Sequence, residues 1–401
     1  MLNKDYLLKH RDTDVALFNI DPVSRHISSV QILDTVFSPV NTKSSNIAKG
    51  VALHDWLSHR CISNSREGIE RLKTRYHIND VRDLMLAQKG LSLSDHYWID
   101  SYPFKHKWKK VNLFENGYSE EIGKLLFDTR LRIVDGDTLY KGNSPELTTG
   151  GRLSKYWKRN TKDGKDYLVK GGSGMYRQEP FNEYYAHLVL KALKYDHTPY
   201  HVRKGVDGQW VSMCPCIANI DKEMVSAHDI RRKYGIDKNY HGLIGLMHKK
   251  ACGHMQDAID KMIIIDYIIA NTDRHWDNFG IVRNGVTGAW LEVTPLFDNG
   301  YSLWNGDQVN ASVPIRNESF ADYNEECLAM VDIQKHIKKI PDLPSLFDQA
   351  FSRFEHKDRK LILRKGVESQ YATLNQIMER GIHTVIGRQY HNNNKKSARK
   401  C

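Results

Sequence analysis

NTDRHWDNFG, residues 271–280, runs directly into IVRNGVTGAWLEVTPLFDNG, residues 281–300. Asn284-Gly285 is a strong turn signal with IV before it and AWLEV after it, so the second string predicts a β-hairpin. Folding it about residues 284–288 puts Asn278 just before the first strand and Asp298 just beyond the second, where their oxygens can share one site. Asp273 lies at the mouth of an apolar helix that ends in DYIIAN. Three oxygen-bearing side chains are therefore expected around one loop region.

That set has a chemistry. Magnesium takes hard oxygen ligands, one or two carboxylates with phosphate oxygens and water completing the octahedron. Asp298 and Asn278 suit that task. Asp273 is placed to orient an attacking hydroxyl and receive its proton. The combination describes phosphoryl transfer, whose transition state spreads charge over non-bridging oxygens and calls for a fixed cation. Lys170 is the candidate, ending the strand YLVK, where alternation aims it inward. Glu183, in the first turns of the following helix, is its expected anchor, with Glu179 as the competing partner.

The chain holds 401 residues, so two or three domains are expected. Hydrophobic residues make up 40% and charged residues 27%, which is globular composition and excludes wholesale disorder. The formal net charge of +11 favours polyanionic partners and leaves direct nucleic-acid binding open. The first twenty residues carry Lys4, Asp5, Lys9, Arg11, Asp12 and Asp14, so a secretory signal is not expected. The most apolar run, MIIIDYIIA at 262–270, is too short to span a bilayer and contains Asp266. Six scattered cysteines without C-x-x-C spacing fit a reducing cytoplasm, the expected location.

Outward from the central string, residues 14–20 and 26–33 read as a hairpin, and residues 47–89 as three short helices. A helical pair of that kind can read DNA, but packing against a core is the favoured role. FKHKWKKVN at 104–112 reads as a solvated basic segment, and GLSLSDHYWI at 90–99 as a docking stretch that buries Tyr97 and Trp98. Between residues 148 and 210 the texture predicts a small sheet with one helix opening near Pro180, and QWVSMC at 209–214 another strand of that sheet. From Asp221 onward helical patterns dominate apart from the hairpin. Cys214-Pro215-Cys216 reads as a hinge against which adenine can stack.

With TDRHWDN, PLFDNG, YLVK and NEYYAHLV on the page, the chain resembles the HipA-like serine/threonine kinases of the protein-kinase-like superfamily. Its D-R-H-x-x-N string is also similar to the catalytic loop of phosphatidylinositol-kinase-type enzymes. The resemblance covers roughly residues 140–320. It implies an α+β, bilobal protein-kinase-like fold with a small β-rich lobe and a helical lobe, plus an N-terminal α+β module. The boundaries are 1–124 for the module, 125–215 and 216–387 for the lobes, and 388–401 for a basic tail. Carried over by motif, Asp273 matches the catalytic-loop aspartate, Asn278 the metal-binding asparagine, Asp298 the aspartate opening D-N-G, Lys170 the phosphate lysine and Glu183 its helix partner. ATP and Mg2+ are the implied cofactors, a protein the implied substrate, and a small DNA-binding antitoxin an implied partner.

The phosphate loop departs from G-x-G-x-x-G: SPELTTGGRLSKYW at 144–157 offers only Gly150 and Gly151. HipA-like enzymes use a different loop, often with a phosphorylatable serine, and Ser144, Thr148, Thr149 and Ser154 are candidates for autophosphorylation. Their ordinary role is to cap and turn. Asp273, His275 and Asp277 also spell D-x-H-x-D, but no second His-rich string supports a metallohydrolase. His275 is expected to orient the loop and Arg274 to neutralise an acid or phosphate. A lipid or small-molecule kinase uses the same catalytic set, and a nucleic-acid-binding protein with an inactive kinase lobe is the remaining alternative.

Overall fold

The computed structural model describes residues 5–128, 142–306, 308–311 and 313–381. The expected basic tail at 388–401 lies outside the described residues. The fold is α+β with several antiparallel sheets, and the chain divides into two compact units that interleave in sequence. The first comprises Met1–Gly171, Lys204–Ile236 and Gly280–Glu292, and the second Gly172–Arg203, Asp237–Phe279 and Val293–Cys401.

The first unit opens with strands Asp5–His10, Thr13–Ile20 and Ile27–Ile32, the last two forming the expected hairpin. Tyr97–Ser101 pairs along the other edge of Asp5–His10, so the segment read as a docking stretch is a strand inside a four-stranded sheet. Tyr97 and Trp98 are buried there, because alternate residues of a paired strand project to opposite covered faces. Helix Asn46–Arg60, capped by the Ser45 side chain at Ala48 N, packs Leu53, Trp56 and Leu57 against Leu8, Val15 and Phe18. Each such large side chain removed from water contributes ~1.5–3 kcal/mol. Ile69–Tyr76 and Val81–Ala87 complete the three expected helices, and they lie in an apolar core rather than presenting a separate reading head.

Lys155–Arg159 pairs with Asp166–Lys170, which pairs with Trp210–Pro215. Trp157 on this sheet shares a core with Leu91, Trp98, Trp108 and Leu113. Trp108 is thus buried while Lys105, Lys107, Lys109 and Lys110 around it are exposed, as expected for a solvated basic segment. The hairpin about Asn284-Gly285 is present as Gly280–Asn284 and Trp290–Val293, and a third strand, Lys222–Ser226, lies on its far side. That strand departs from the helical reading of everything after Asp221. Its cause is long-range pairing with Gly280–Asn284 and the burial of Glu223, which local periodicity does not encode.

The second unit is mostly helical: Glu179–Leu193, Tyr240–Lys249, Gln256–Ile268, Leu343–Ala350 and Lys357–Arg380. Pro180 sits in the first turn of its helix, where a missing N–H costs nothing. Phe181, Phe347, Phe351 and Phe354 form an aromatic core, with Phe347 and Phe351 stacked at 4.3 Å. Gln256–Ile268 is buried almost throughout and delivers the chain to residues 271–280. Among the described residues no helix is long and apolar enough to cross a membrane. Cys61, Cys214, Cys216, Cys252 and Cys327 are free thiols.

Candidate active site

In the second unit the site is organised by a residue whose side chain never reaches solvent. Arg274 is fully buried, and its Nε and Nη2 meet the Asp266 carboxylate at 3.0 Å. Its Nη1 donates to Asn278 O at 2.9 Å and to Phe297 O at 2.6 Å, and its Nη2 to Asn299 Oδ1 at 2.5 Å. One guanidinium thereby ties the end of the buried helix, the 273–278 loop and the 297–299 segment together. Only a planar, multi-donor cation can make all of these bonds at once. Arg274 does neutralise an acid, Asp266, and the attraction of that carboxylate outweighs burial to raise the arginine's pKa.

Around this junction each candidate is held by local bonds. Asn271 Nδ2 donates to Asp266 Oδ1 at 2.8 Å, and Asn271 Oδ1 accepts from Asp273 N at 3.2 Å. Asn278 Nδ2 donates to Asp273 O at 2.9 Å, which fixes the amide and turns its oxygen the other way. Asp298 takes φ +56°, a left-handed conformation that Asp tolerates better than most residues, and its N–H donates to Tyr200 Oη at 3.2 Å. Glu183 is buried and accepts from Asn299 N at 2.8 Å, while Asn182 Nδ2 donates to Gly300 O and Ser302 O. Helix Glu179–Leu193 thus anchors the D-N-G segment. Glu179 is engaged by the backbone N–H and hydroxyl of Ser173.

The electrostatics separate the two aspartates. Burial is the main cause that pushes Asp273 up to about 6, and the charges of Asp298 and Glu318 add to it against His275 and Arg274. His275 pairs with Asp277, Nδ1 to Oδ2 at 3.5 Å. Burial alone lowers its pKa, but the Asp277 hydrogen bond and the Asp273, Asp277 and Asp298 charges outweigh it and hold His275 above its ordinary value.

The first unit carries the other candidates. Lys170 is 4% exposed at the end of its strand, opposite Lys155, which is 7% exposed. Directly opposed residues of an antiparallel pair project from the same face, so two buried lysine stems share one side of this sheet. The strand reading found Lys170 and missed Lys155, since alternation alone does not give the register that faces them. Gly151, at φ +85°, adjoins Lys155: a β-carbon there would stand 2.6 Å from Nζ. A β-carbon on Gly150 would meet nothing within 4 Å. Ser154 Oγ donates to Glu67 Oε2 at 2.7 Å, and Ser154 O accepts from Gly171 N. Thr148 and Thr149 hydroxyls cap Pro145 O, and Ser144 Oγ binds the buried Glu146. Lys170 and Glu183 belong to different units. Cys216, at the expected hinge, has its N–H on Asp166 O and its thiol on Leu93 O.

A carboxylate, a carboxamide and a second carboxylate of raised pKa are hard oxygen donors, so the residues at the Arg274 junction fit a magnesium ion. The D-x-H-x-D string does not form a metal cluster. Among the described residues, the His, Cys, Asp and Glu ligand atoms converge only at His10, His96 and Glu223 in the first unit. That group does not fit a cation: Arg283 Nε lies 2.6 Å from Glu223 Oε1, His10 stacks on Phe37 at 3.8 Å, and His96 N and Nε2 already bind Glu223 and Asn219 O. It is a buried ion-pair hub in which Arg283 and the histidines overcome burial and hold Glu223 well below the ordinary carboxylate range.

No protein-family model matches the chain, and no curated protein matches it. Solved structures do. The chain is similar to the Helicobacter pylori proinflammatory kinase CtkA at 17% identity, over 58% of this chain and 94% of that one, with a TM-score of 0.46. It is similar to a structure of the Shewanella oneidensis MR-1 toxin–antitoxin system HipA, HipB and its operator DNA at 12% identity, over 95% and 90% of the two chains, with a TM-score of 0.47. A Neurospora crassa PAN3 pseudokinase mutant matches at 11% identity over 61% and 60%, with a TM-score of 0.24.

Proposed function

We propose that this chain is a HipA-like kinase that moves the terminal phosphoryl group of Mg-ATP to a hydroxyl acceptor, a Ser or Thr of a protein. The observation that carries the reading is the Arg274 junction, which joins the loop bearing Asp273 and Asn278 to the segment bearing Asp298. In this reading Asp298 and the Asn278 side-chain oxygen hold magnesium, which when bound offsets charge on the phosphate oxygens. Asp273 orients the acceptor hydroxyl and receives its proton at a carboxylate oxygen. A pKa near 6 makes it a better proton acceptor than an ordinary aspartate while leaving it mostly ionised at neutral pH. Lys170, with Lys155 beside it, neutralises the nucleotide phosphates, and Gly150, Gly151 and Ser154 let the backbone approach them. A DNA-binding antitoxin as partner belongs to the same reading.

The test is transfer from radiolabelled ATP with magnesium, followed into protein and into a lipid extract. Wild-type chain is expected to label protein, and Asp273→Asn, Asn278→Ala and Asp298→Ala to lose at least ~100-fold in rate while remaining folded. Label in lipid alone would move the acceptor to the lipid-kinase alternative. Nucleic-acid binding without transfer, unchanged in Asp273→Asn, would replace the reading with the inactive-lobe alternative.

A further inference from the structure

The segment 149–154, the loop that leads into the strand Lys155–Arg159, is held by residues far from it in sequence. Arg66 follows the turn that begins at Ser63 and is 2% exposed. Its Nε donates to Gly151 O at 2.8 Å, and its Nη2 donates to Gly150 O at 2.7 Å and to Thr149 O. The next residue, Glu67, accepts from Ser154 Oγ at 2.7 Å, and its N–H lies 3.5 Å from Arg152 O. Two adjacent residues of the N-terminal region thus grip a loop some 85 residues further along the chain.

The direction of these bonds matters more than their number. In a trans peptide the N–H points opposite to the C=O of the same plane. With the carbonyls of Thr149, Gly150 and Gly151 drawn to one guanidinium, the amides of Gly150, Gly151 and Arg152 are turned the other way. Successive N–H groups on one side of a glycine-containing loop form an anion-binding concavity. Gly151, at φ +85°, supplies the backbone reversal that such a concavity requires. Arg66 Nη1 is buried without a hydrogen-bond partner. The desolvation of this buried cation is offset by its three carbonyl acceptors and by the attraction of Glu146, so the guanidinium and the loop carbonyls hold one another in place.

We propose that Arg66 and Glu67 are positioning residues that set the 149–154 loop with its amides outward to receive the phosphates of a nucleoside triphosphate. The proposal rests on the kinase reading above, and its test separates the two. Arg66→Lys keeps the charge and loses the fork; Glu67→Ala and Ser154→Ala each remove one side of the same contact. The assays are limited tryptic cleavage after Arg152 in the full chain and steady-state transfer from Mg-ATP. Cleavage there is expected to speed up at least about tenfold in Arg66→Lys and in Glu67→Ala, while the chain stays folded by circular dichroism. KM for ATP should rise about tenfold with kcat held within about twofold, a split that general destabilisation does not produce. Glu67→Ala/Ser154→Ala should be no worse than either single change, because the two residues share one interaction.

Unchanged cleavage after Arg152 in both Arg66→Lys and Glu67→Ala overturns the proposal. So does faster cleavage with an unaltered KM, or full additivity of Glu67→Ala and Ser154→Ala. A wild-type chain that transfers no phosphate and binds no ATP overturns the kinase reading, and with it the nucleotide role of the grip. The cleavage result then still decides whether Arg66 and Glu67 hold the loop.

Discussion

Replacing Arg274 by Gln removes the tie between the two halves of the candidate active site, and its cost follows from the bonds lost. Asp266 is 1% exposed and pairs with Arg274 and the Asn271 amide. Without the guanidinium it is a buried carboxylate short of a counter-charge, a situation worth ~3–5 kcal/mol. The carbonyls of Asn278 and Phe297 and the Asn299 side chain lose a donor as well, at ~1 kcal/mol or more each where glutamine does not reach. The sum, ~5 kcal/mol or more, rivals the ~5–15 kcal/mol net stability of a folded domain. Urea unfolding at neutral pH should show a large fall in midpoint. The paired change Asp266→Asn/Arg274→Gln removes the stranded charge and should recover roughly 3 kcal/mol. It does not rebuild the link to Phe297 and Asn299, so phosphate transfer should stay low. A single variant within ~1 kcal/mol of wild type, or a double variant that regains transfer along with stability, would refute the reasoning.

Other outcomes follow from the same geometry. The rate of transfer at subsaturating substrate should rise with pH as Asp273 loses its proton near pH 6, and the step should vanish in Asp273→Asn. For stability the sign is opposite: a carboxyl whose folded pKa exceeds its unfolded value loses stabilisation as pH rises from about 4 to about 6, so Asp273→Asn should be relatively more stable than wild type above that window in denaturant titrations. Lys155→Met should weaken ATP binding about tenfold by calorimetry, and equal affinity would remove Lys155 from the phosphate contacts. Gly151→Ala should be impaired in the same assay, since φ +85° and the nearby Lys155 ammonium both oppose a β-carbon; wild-type affinity would show the loop to be indifferent to that residue.

The central hairpin was legible because Asn284-Gly285 is a local signal whose backbone preference needs no distant partner. Helix Glu179–Leu193 and the strand Asp166–Lys170 were legible for the same reason, through Pro180 and an apolar run after a turn. What escaped depends on pairing across the chain. Lys222–Ser226 is a strand only because Gly280–Asn284 lies beside it, and Asp5–His10 only because Thr13–Ile20 and Tyr97–Ser101 flank it. Arg274, on a polar loop, has nothing local to mark it as buried, so its weight in the site emerges only with Asp266, Phe297 and Asn299 around it. Arg66 is hidden more completely, since nothing near it in sequence points to Thr149–Gly151.

A crystal soaked with magnesium and a nonhydrolysable ATP analogue tests the phosphoryl-transfer reading at its root. The expected density places a metal ion against the Asp298 carboxylate and the Asn278 side-chain oxygen, with Asp273 facing the terminal phosphate. A nucleotide bound with its metal away from both Asp298 and Asn278 would contradict it.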